Sequence, residues 1–172
     1  MSRNLFRSVL LALTFGTIAA ASGELREEPI RLRLEPRFIL EAVAREMNVV
    51  LDPHLPLPAV LLESRTPLRR FQDAIAPQWG FRPPLYSNAF VPARNEIYLT
   101  DDPRYYAKMK RTLDESLAHE LAHYIQVRYL NADLAEASWE NDAIAAQGRF
   151  SEVHTAWLLG EAGVVRQAAL GL

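Results

Sequence analysis

The stretch Ser116-Leu-Ala-His-Glu-Leu-Ala-His-Tyr-Ile125 decides what can be expected of this chain of 172 residues. It contains His119 and His123, with Glu120 directly after the first histidine, which is the pattern H-E-x-x-H. In an α-helix, side chains four residues apart lie on one face, so the two imidazoles can meet at a single Zn²⁺ ion. Glu120 then lies beside the open position of the metal, where a general base is needed. The stretch therefore predicts a zinc site on a helix.

Capping signals on both sides of this stretch indicate one long helix. Thr112 and Glu115 have the spacing of a capping box, in which side chains and main chain satisfy each other at a helix start. No proline or glycine interrupts the residues that follow, and Asn131 suits the left-handed backbone of a helix end. Leucine, alanine and isoleucine flank the histidines, so a core can bury the helix. We expect a helix over residues 112–130.

A catalytic zinc site usually has three protein ligands, so the histidine pair needs a third partner. Asp133 and Glu136 repeat the capping-box spacing, which predicts that a second helix starts there and runs back antiparallel to the first towards Gln147. Glu140 on that helix could face the histidine pair. The other candidates for the third ligand are Glu136, Asp142 and His154.

These motifs resemble those of gluzincin-type zinc metallopeptidases, in which H-E-x-x-H on one helix is completed by Glu from E-x-x-A on the next. The resemblance covers roughly residues 88–147. It implies that the zinc ligands are His119, His123 and Glu140, and that Glu120 is the catalytic base. It also implies an α+β, zincin-like fold, with a small twisted β-sheet packed on the H-E-x-x-H helix and further helices towards the C-terminus.

One position departs from the pattern of that family. An Asp commonly follows the alanine of E-x-x-A, and Ile144 stands there in this chain. The hydrogen bond that such an Asp makes to a ligand histidine must then come from elsewhere or be absent. Asp142 and Glu136 are the candidates for supplying it.

A β-hairpin is predicted just before the histidine helix. Ala89–Val91 and Glu96–Thr100 flank a four-residue turn at Pro92-Ala-Arg-Asn95. The resemblance implies that Glu96–Thr100 is the edge strand of the sheet and pairs with an extended peptide substrate. An ordinary sheet strand without a ligand is the alternative.

Weaker signals place further elements along the chain. Alternation or apolar runs predict short strands, and 3.6-residue periodicity predicts helices. We expect strands at 30–34 and 48–51, helices at 37–47, 67–76 and 103–110, and a last helix from Ser151 to about Ala169 after an interruption at Gly148.

Residues 1–23 have the features of a secretory signal peptide. Arg3 and Arg7 precede an uncharged, mostly apolar stretch, and Ala19-Ala-Ala21 fits an A-x-A cleavage site. An uncleaved N-terminal anchor is the alternative. We expect residues 24–172 to form a single exported domain, periplasmic or secreted, with no stable membrane span after signal cleavage.

The composition narrows the possible chemistry and partners. The chain has no cysteine, which excludes thiolate metal sites, thiol nucleophiles and disulfides. Nineteen basic and 21 acidic residues give a net charge of −2, so nothing favours a nucleic-acid partner. The expected cofactor is Zn²⁺, and the expected partner is a peptide or protein substrate.

Three functions fit these observations. The first is an exported zinc-dependent peptidase that hydrolyses peptide bonds with metal-activated water and Glu120 as the general base. The second is a catalytically inactive or occluded zincin-like protein that binds a metal or a partner, because the chain is short for a two-lobed peptidase. The third is a binding or assembly module that carries H-E-x-x-H by chance. Only the first two predict zinc in stoichiometric amounts.

Overall fold

The computed structural model describes residues 27–134 and 136–169, with side chains as far as His154. The predicted signal peptide, residues 1–23, lies outside the described residues. The described part of the chain is α+β, as predicted, and contains no helix that is both long and apolar enough to cross a membrane. Its elements are α1 (Pro36–Glu46), β1 (Ala59–Leu62), a 3₁₀ turn (Glu63–Arg65), α2 (Leu68–Trp79), β2 (Ala89–Val91), β3 (Glu96–Leu99), α3 (Pro103–Met109), α4 (Leu113–Tyr129) and α5 (Ala137–Ala169).

The strands form one mixed sheet in the order β1-β3-β2. β1 pairs with β3 in parallel, and β2 pairs with β3 as the other arm of the predicted hairpin. The prediction that Glu96–Thr100 forms the edge strand is therefore wrong, because the segment pairs on both sides and ends as a strand at Leu99. β1 was missed because its four apolar residues, Ala59–Leu62, lack alternation and follow a proline-rich connection. The edge strand on the hairpin side is β2.

Side chains of β3 alternate between two hydrophobic clusters on opposite faces of the sheet. Ile97 and Leu99 are buried with residues of α1, α4 and α5 on one face. Tyr98 is buried on the other face with Phe71 and Ile75 of α2. This period of two is that of a strand buried on both faces. The sheet therefore lies between α2 on one side and α4, with its neighbours α1 and α5, on the other.

Helix α4 begins and ends where the sequence predicts. The Oγ1 atom of Thr112 accepts a hydrogen bond of 3.1 Å from the Glu115 amide, and the Glu115 carboxylate accepts one from the Thr112 amide. At the other end Asn131 adopts a left-handed φ of 52°. Both caps satisfy main-chain groups that a helix end leaves without helical partners.

Helix α5 differs from the prediction at its start and in its middle. It begins at Ala137 rather than near Asp133, and it continues through Gly148 without a break. Ala143, Ala146 and Phe150 are buried at helical spacing on both sides of the glycine. Burying this stripe outweighs the penalty of about 1 kcal/mol for a glycine inside a helix.

Helix α2 runs three residues beyond its predicted end at Ala76, because Pro77 does not stop it. A proline lacks the N–H that would bond to the carbonyl four residues earlier, which here belongs to Asp73. The guanidinium of Arg94 donates to that carbonyl at 3.2 Å. The helix then ends at Gly80 with a left-handed φ of 75°.

The predicted strands at 30–34 and 48–51 are not strands in the structure. The amides of Arg33 and Leu34 donate to the buried carboxylate of Asp114, at 3.0 and 2.8 Å, and so pin the segment to α4. After α1 the chain turns at Asn48, which has a φ of 55°, and the Val49 amide bonds back to the helix. The amides of Arg33, Leu34 and Val49 thus pair with helices, and the Ile30 amide bonds to the Asp101 carbonyl after β3, so neither segment joins the sheet.

Candidate metal centre

Helices α4 and α5 pack antiparallel, as the sequence predicts for the two helices that carry the candidate ligands. Ala143 and Ala146 are fully buried on α5, and such small side chains let two helices approach closely. The contacts between the helices run in opposite directions along the two sequences: Gln126 with Trp139, His123 with Glu140, and Glu115 with Ser151.

Three candidate ligands come together between these helices. The Nε2 atoms of His119 and His123 are 3.2 Å apart. The Glu140 carboxylate oxygens lie 3.5 Å from the Nε2 atom of His119 and 3.2 Å from that of His123. Tetrahedral zinc with bonds of about 2.0–2.1 Å places its ligand atoms about 3.3–3.4 Å from one another. Two imidazoles and one carboxylate lie close enough together to hold a metal ion, and the distances from each Nε2 atom to its nearest Glu140 oxygen are close to those of tetrahedral zinc.

The alternative third ligands lie outside this cluster. Glu136 precedes the first residue of α5, and the side chain of Asp142 is exposed. The ring of His154 packs against Phe38 and Phe150, with centroids 5.3 and 4.8 Å away. Of the four candidates that the sequence left open, the structure brings only Glu140 to the histidine pair.

The electrostatics of the cluster favour a cation. Burial lowers the pKa of His119, and the nearby His123 ring lowers it further, while the Glu140 carboxylate raises it. His119 is therefore mainly neutral at pH 7 and offers a lone pair rather than a positive charge. The negative charge of Glu140 then faces a neutral His119 ring, which is an arrangement that a bound dication stabilises.

Glu120 lies on the buried side of the same helix. Its side chain accepts a hydrogen bond from the main-chain amide of Phe90 in β2, which fixes it next to the sheet. The pKa of Glu120 is raised to about 8. Burial is the main cause and the Glu140 carboxylate adds to it, while the hydrogen bond from the Phe90 amide opposes the rise. A carboxyl group with a pKa close to neutral can both accept and return a proton at physiological pH.

Two glutamines that were not predicted from the sequence lie beside the histidines, and one of them, Gln126, is hydrogen-bonded to a ring. The Nδ1 atom of His123 lies 2.8 Å from the Oε1 atom of Gln126. Gln147 lies beside His119 and opposes the lowering of the His119 pKa. The Nδ1 atom of His119 and the Oε1 atom of Gln147 have no hydrogen-bond partner among the described residues. The exposed Ile144 takes no part. Their spacing in the sequence could have predicted both positions. Gln126 is three residues after His123, and Gln147 is seven residues after Glu140, so each lies on the same helix face as a candidate ligand.

Gln126 takes the place of the acids that were candidates for a hydrogen bond to a ligand histidine. Asp142 and Glu136 were the candidates for this hydrogen bond, and that expectation is wrong for His123, whose Nδ1 atom pairs with Gln126. Asp142 lies on an exposed part of α5, and Glu136 lies before the helix. Neither position faces the rings, because the inward face of α5 presents residues such as Ala143 and Gln147.

Access to the cluster is restricted. The side chains of His119 and His123 are 16% and 12% exposed, whereas that of Glu140 is 54% exposed. Solvent therefore reaches the cluster mainly past Glu140. A cavity of about 510 Å³ is lined by Glu63, Asp101 and neighbouring residues, and none of the three candidate ligands lines it.

Comparisons with the models of known protein families, with curated proteins and with solved structures found no match. The resemblance to gluzincin peptidases accordingly rests on the motif residues and on their arrangement.

Proposed function

We propose that this protein is a zincin-like, zinc-dependent peptidase, with His119, His123 and Glu140 as the metal ligands. The observation that carries the proposal is that the two histidine Nε2 atoms lie 3.2 Å apart, each with one oxygen of the Glu140 carboxylate 3.2–3.5 Å away, while Glu120 is buried on the same helix. Zinc bound at such a site supplies a Lewis acid that polarises a scissile carbonyl and lowers the pKa of water towards 7.

The role we assign to Glu120 is that of the general base. Its side chain is buried, is held by the Phe90 amide and lies near enough to Glu140 for that carboxylate to raise its pKa. In this role it would receive a proton from the attacking water. The same group can return that proton to the leaving amine when the peptide bond breaks. Glu120 is not one of the three ligands, and it stays available for this transfer.

Strand β2 is the sheet edge that a peptide substrate would have to reach, and all three of its residues are buried. It is an edge strand of the sheet, and its Phe90 amide contacts the proposed base. An extended peptide can add to the edge of a sheet through main-chain hydrogen bonds, which select for peptide backbone more than for particular side chains. This assigns to β2 the substrate-pairing role that the sequence analysis gave to β3.

A second function is favoured by the burial of the site. Glu120 is only 5% exposed, and both histidine rings are largely covered. A protein with this arrangement can bind zinc for structure or for partner recognition without turning over a substrate. The two functions agree on zinc binding and differ in hydrolysis, so one pair of measurements separates them.

The first measurement is the zinc content of the purified protein and of its His119→Ala variant. We expect one zinc per wild-type chain and a strong loss in the variant, because removing one of three ligands leaves too few to hold the ion. Wild-type protein without zinc after incubation with a stoichiometric amount would contradict both functions.

The second measurement is hydrolysis of a fluorescent casein by Glu120→Gln. The amide keeps the size of the side chain but cannot accept a proton at neutral pH, so activity should fall by about 10²–10⁴-fold while zinc content stays unchanged. Glu136→Gln, an exposed change before α5, is the matched control and should keep full activity. Zinc-loaded wild-type protein without hydrolysis would favour the non-catalytic function.

We also propose that the protein is exported, on the basis of the predicted signal peptide. The mass of the protein recovered from an expressing bacterial host should show that it begins between Ser22 and Glu24. Retention of Met1 would favour an uncleaved anchor.

A further inference from the structure

We propose that Gln126 is a positioning residue that fixes the tautomer of His123 and links it to the helix turn that carries Glu140. This inference rests on the proposed zinc site. Gln126 is completely buried in the last part of α4, and a buried amide must use both its oxygen and its nitrogen. Its oxygen lies 2.8 Å from His123 Nδ1, and its nitrogen lies 2.7 Å from the main-chain oxygen of Trp139.

The main-chain oxygen of Trp139 determines the direction of these hydrogen bonds. A carbonyl oxygen only accepts, so the amide nitrogen of Gln126 must face Trp139. The amide oxygen then faces His123, and since that oxygen cannot donate, the Nδ1 atom of His123 must carry the proton. Nε2, the atom that lies 3.2 Å from Glu140, is thereby left as the ring nitrogen that can bind a metal. His123 is therefore set for metal binding before any metal arrives.

The same amide also holds the two ligand-bearing helices in register. Trp139 directly precedes Glu140, so the hydrogen bond from Gln126 ties the backbone beside one ligand to the side chain that orients another. A glutamate could accept from His123 but could not donate to Trp139, and a methionine could do neither. Glutamine is thus matched to both demands of this position.

The direct test is the tautomer of His123 in the metal-free protein. Imidazole ¹H–¹⁵N spectra at about pH 8 distinguish a proton on Nδ1 from one on Nε2. We expect His123 in the wild-type protein to carry its proton on Nδ1, and Gln126→Met to lose this preference. Gln126→Glu should retain it, because the carboxylate still accepts from Nδ1. A wild-type ring protonated on Nε2 would overturn the inference without the need for any variant.

Zinc affinity provides a second readout, measured by competition with a chromophoric chelator. Gln126→Met should bind zinc about 10–100-fold more weakly, the usual effect of removing a partner of a ligand histidine. The matched control is Gln72→Met, which also removes an amide hydrogen bond to a main-chain oxygen, that of Pro83 at 2.9 Å, but on α2. The control should bind zinc as the wild type does.

The outcomes separate this inference from the proposed function. Wild-type zinc affinity in a folded Gln126→Met variant, or an equal loss in Gln72→Met, would overturn the positioning role. If the wild-type protein bound no zinc but His123 still lost its Nδ1 proton in Gln126→Met, the zinc site would be wrong and the control of the tautomer by Gln126 would stand.

Discussion

The carboxylate of Glu140 is the part of the candidate site that was hardest to assign from the sequence. It lies 3.2 and 3.5 Å from the two imidazoles, yet more than half of its side chain is exposed. Pairs that involve an exposed carboxylate contribute little to stability, because water screens the charge. We therefore expect the Glu140 carboxylate to contribute to metal affinity and little to the free energy of unfolding.

We expect Glu140→Ala to weaken zinc binding by more than the 10–100-fold that is typical of losing a partner of a ligand histidine. Glu136→Ala is the matched control, because it removes an exposed carboxylate just before the same helix. Zinc affinity of both variants can be measured by chelator competition. A larger loss in the Glu136 variant would move the third ligand to that residue and leave His119 and His123 in place.

For single residues, the sequence predicts contacts correctly where helix geometry alone brings two side chains together. His119 and His123 meet because they are four residues apart on one helix. The approach of Glu140 followed from the expected antiparallel return of α5. Gln126 follows the same rule, because it is three residues after His123 on α4, and its spacing could have predicted the contact. The position of Gln147 beside His119 depends on the rotation of α5 against α4, which a sequence pattern does not contain.

Gly148 and Gly80 show that the same residue type has opposite roles in two helices. Gly148 lies inside α5, with no atom within 4 Å of the position that a Cβ atom would take. Gly80 ends α2 with a left-handed φ of 75°. An added methyl group has room at the first position and meets backbone strain at the second.

We expect Gly148→Ala to raise the free energy of unfolding by about 0.5–1 kcal/mol, because alanine is the better helix former. Gly80→Ala should lower it by about 1 kcal/mol, because a residue with a Cβ atom disfavours the left-handed backbone. Urea denaturation of both variants measures the two changes. Destabilisation by Gly148→Ala would mean that α5 is not continuous at this point.

Element boundaries were predicted well where local signals agree and poorly where tertiary contacts prevail. The capping box at Thr112 and the left-handed Asn131 fixed both ends of α4 correctly. Gly148 and Pro77 favour helix breaks, but both helices continue through these residues. Around Gly148 a buried apolar stripe stabilises α5, and at Pro77 the Arg94 guanidinium bonds to the carbonyl that the proline leaves free. The edge-strand error has the same origin, because the partner β1 is remote in sequence from β3.

On the scale of the whole molecule, Asp114 connects the start of the described chain to its central helix. The carboxylate is 1% exposed and accepts hydrogen bonds from the Arg33 and Leu34 amides, 81 and 80 residues earlier in the chain. Hydrogen bonds to a charged group contribute about 1.5–3 kcal/mol each. The connection is therefore expected to matter for stability although it lies outside the metal cluster.

We expect Asp114→Ala to lower the free energy of unfolding by roughly 2–4 kcal/mol, because two partly buried amides lose their buried acceptor. Asp114→Asn keeps an oxygen for both amides and should lose clearly less. Urea denaturation of the two variants, together with their zinc affinities, makes the comparison. Equal losses would show that the charge, rather than the acceptor, holds the segment, and a selective loss of zinc binding would contradict the separation from the metal site.

The antiparallel pairing of α4 with α5 also bears on the order in which the protein folds. Its inter-helix hydrogen bonds close loops of 13 and 36 residues, far shorter than the 81 residues between Arg33 and Asp114. Closing a short loop costs less chain entropy, and structures rich in local contacts form faster. The helical hairpin is thus placed to assemble early, ahead of the N-terminal attachment. Under the proposed function, a zinc ion would bind within this early hairpin, because both of its histidine ligands and Glu140 lie on these two helices.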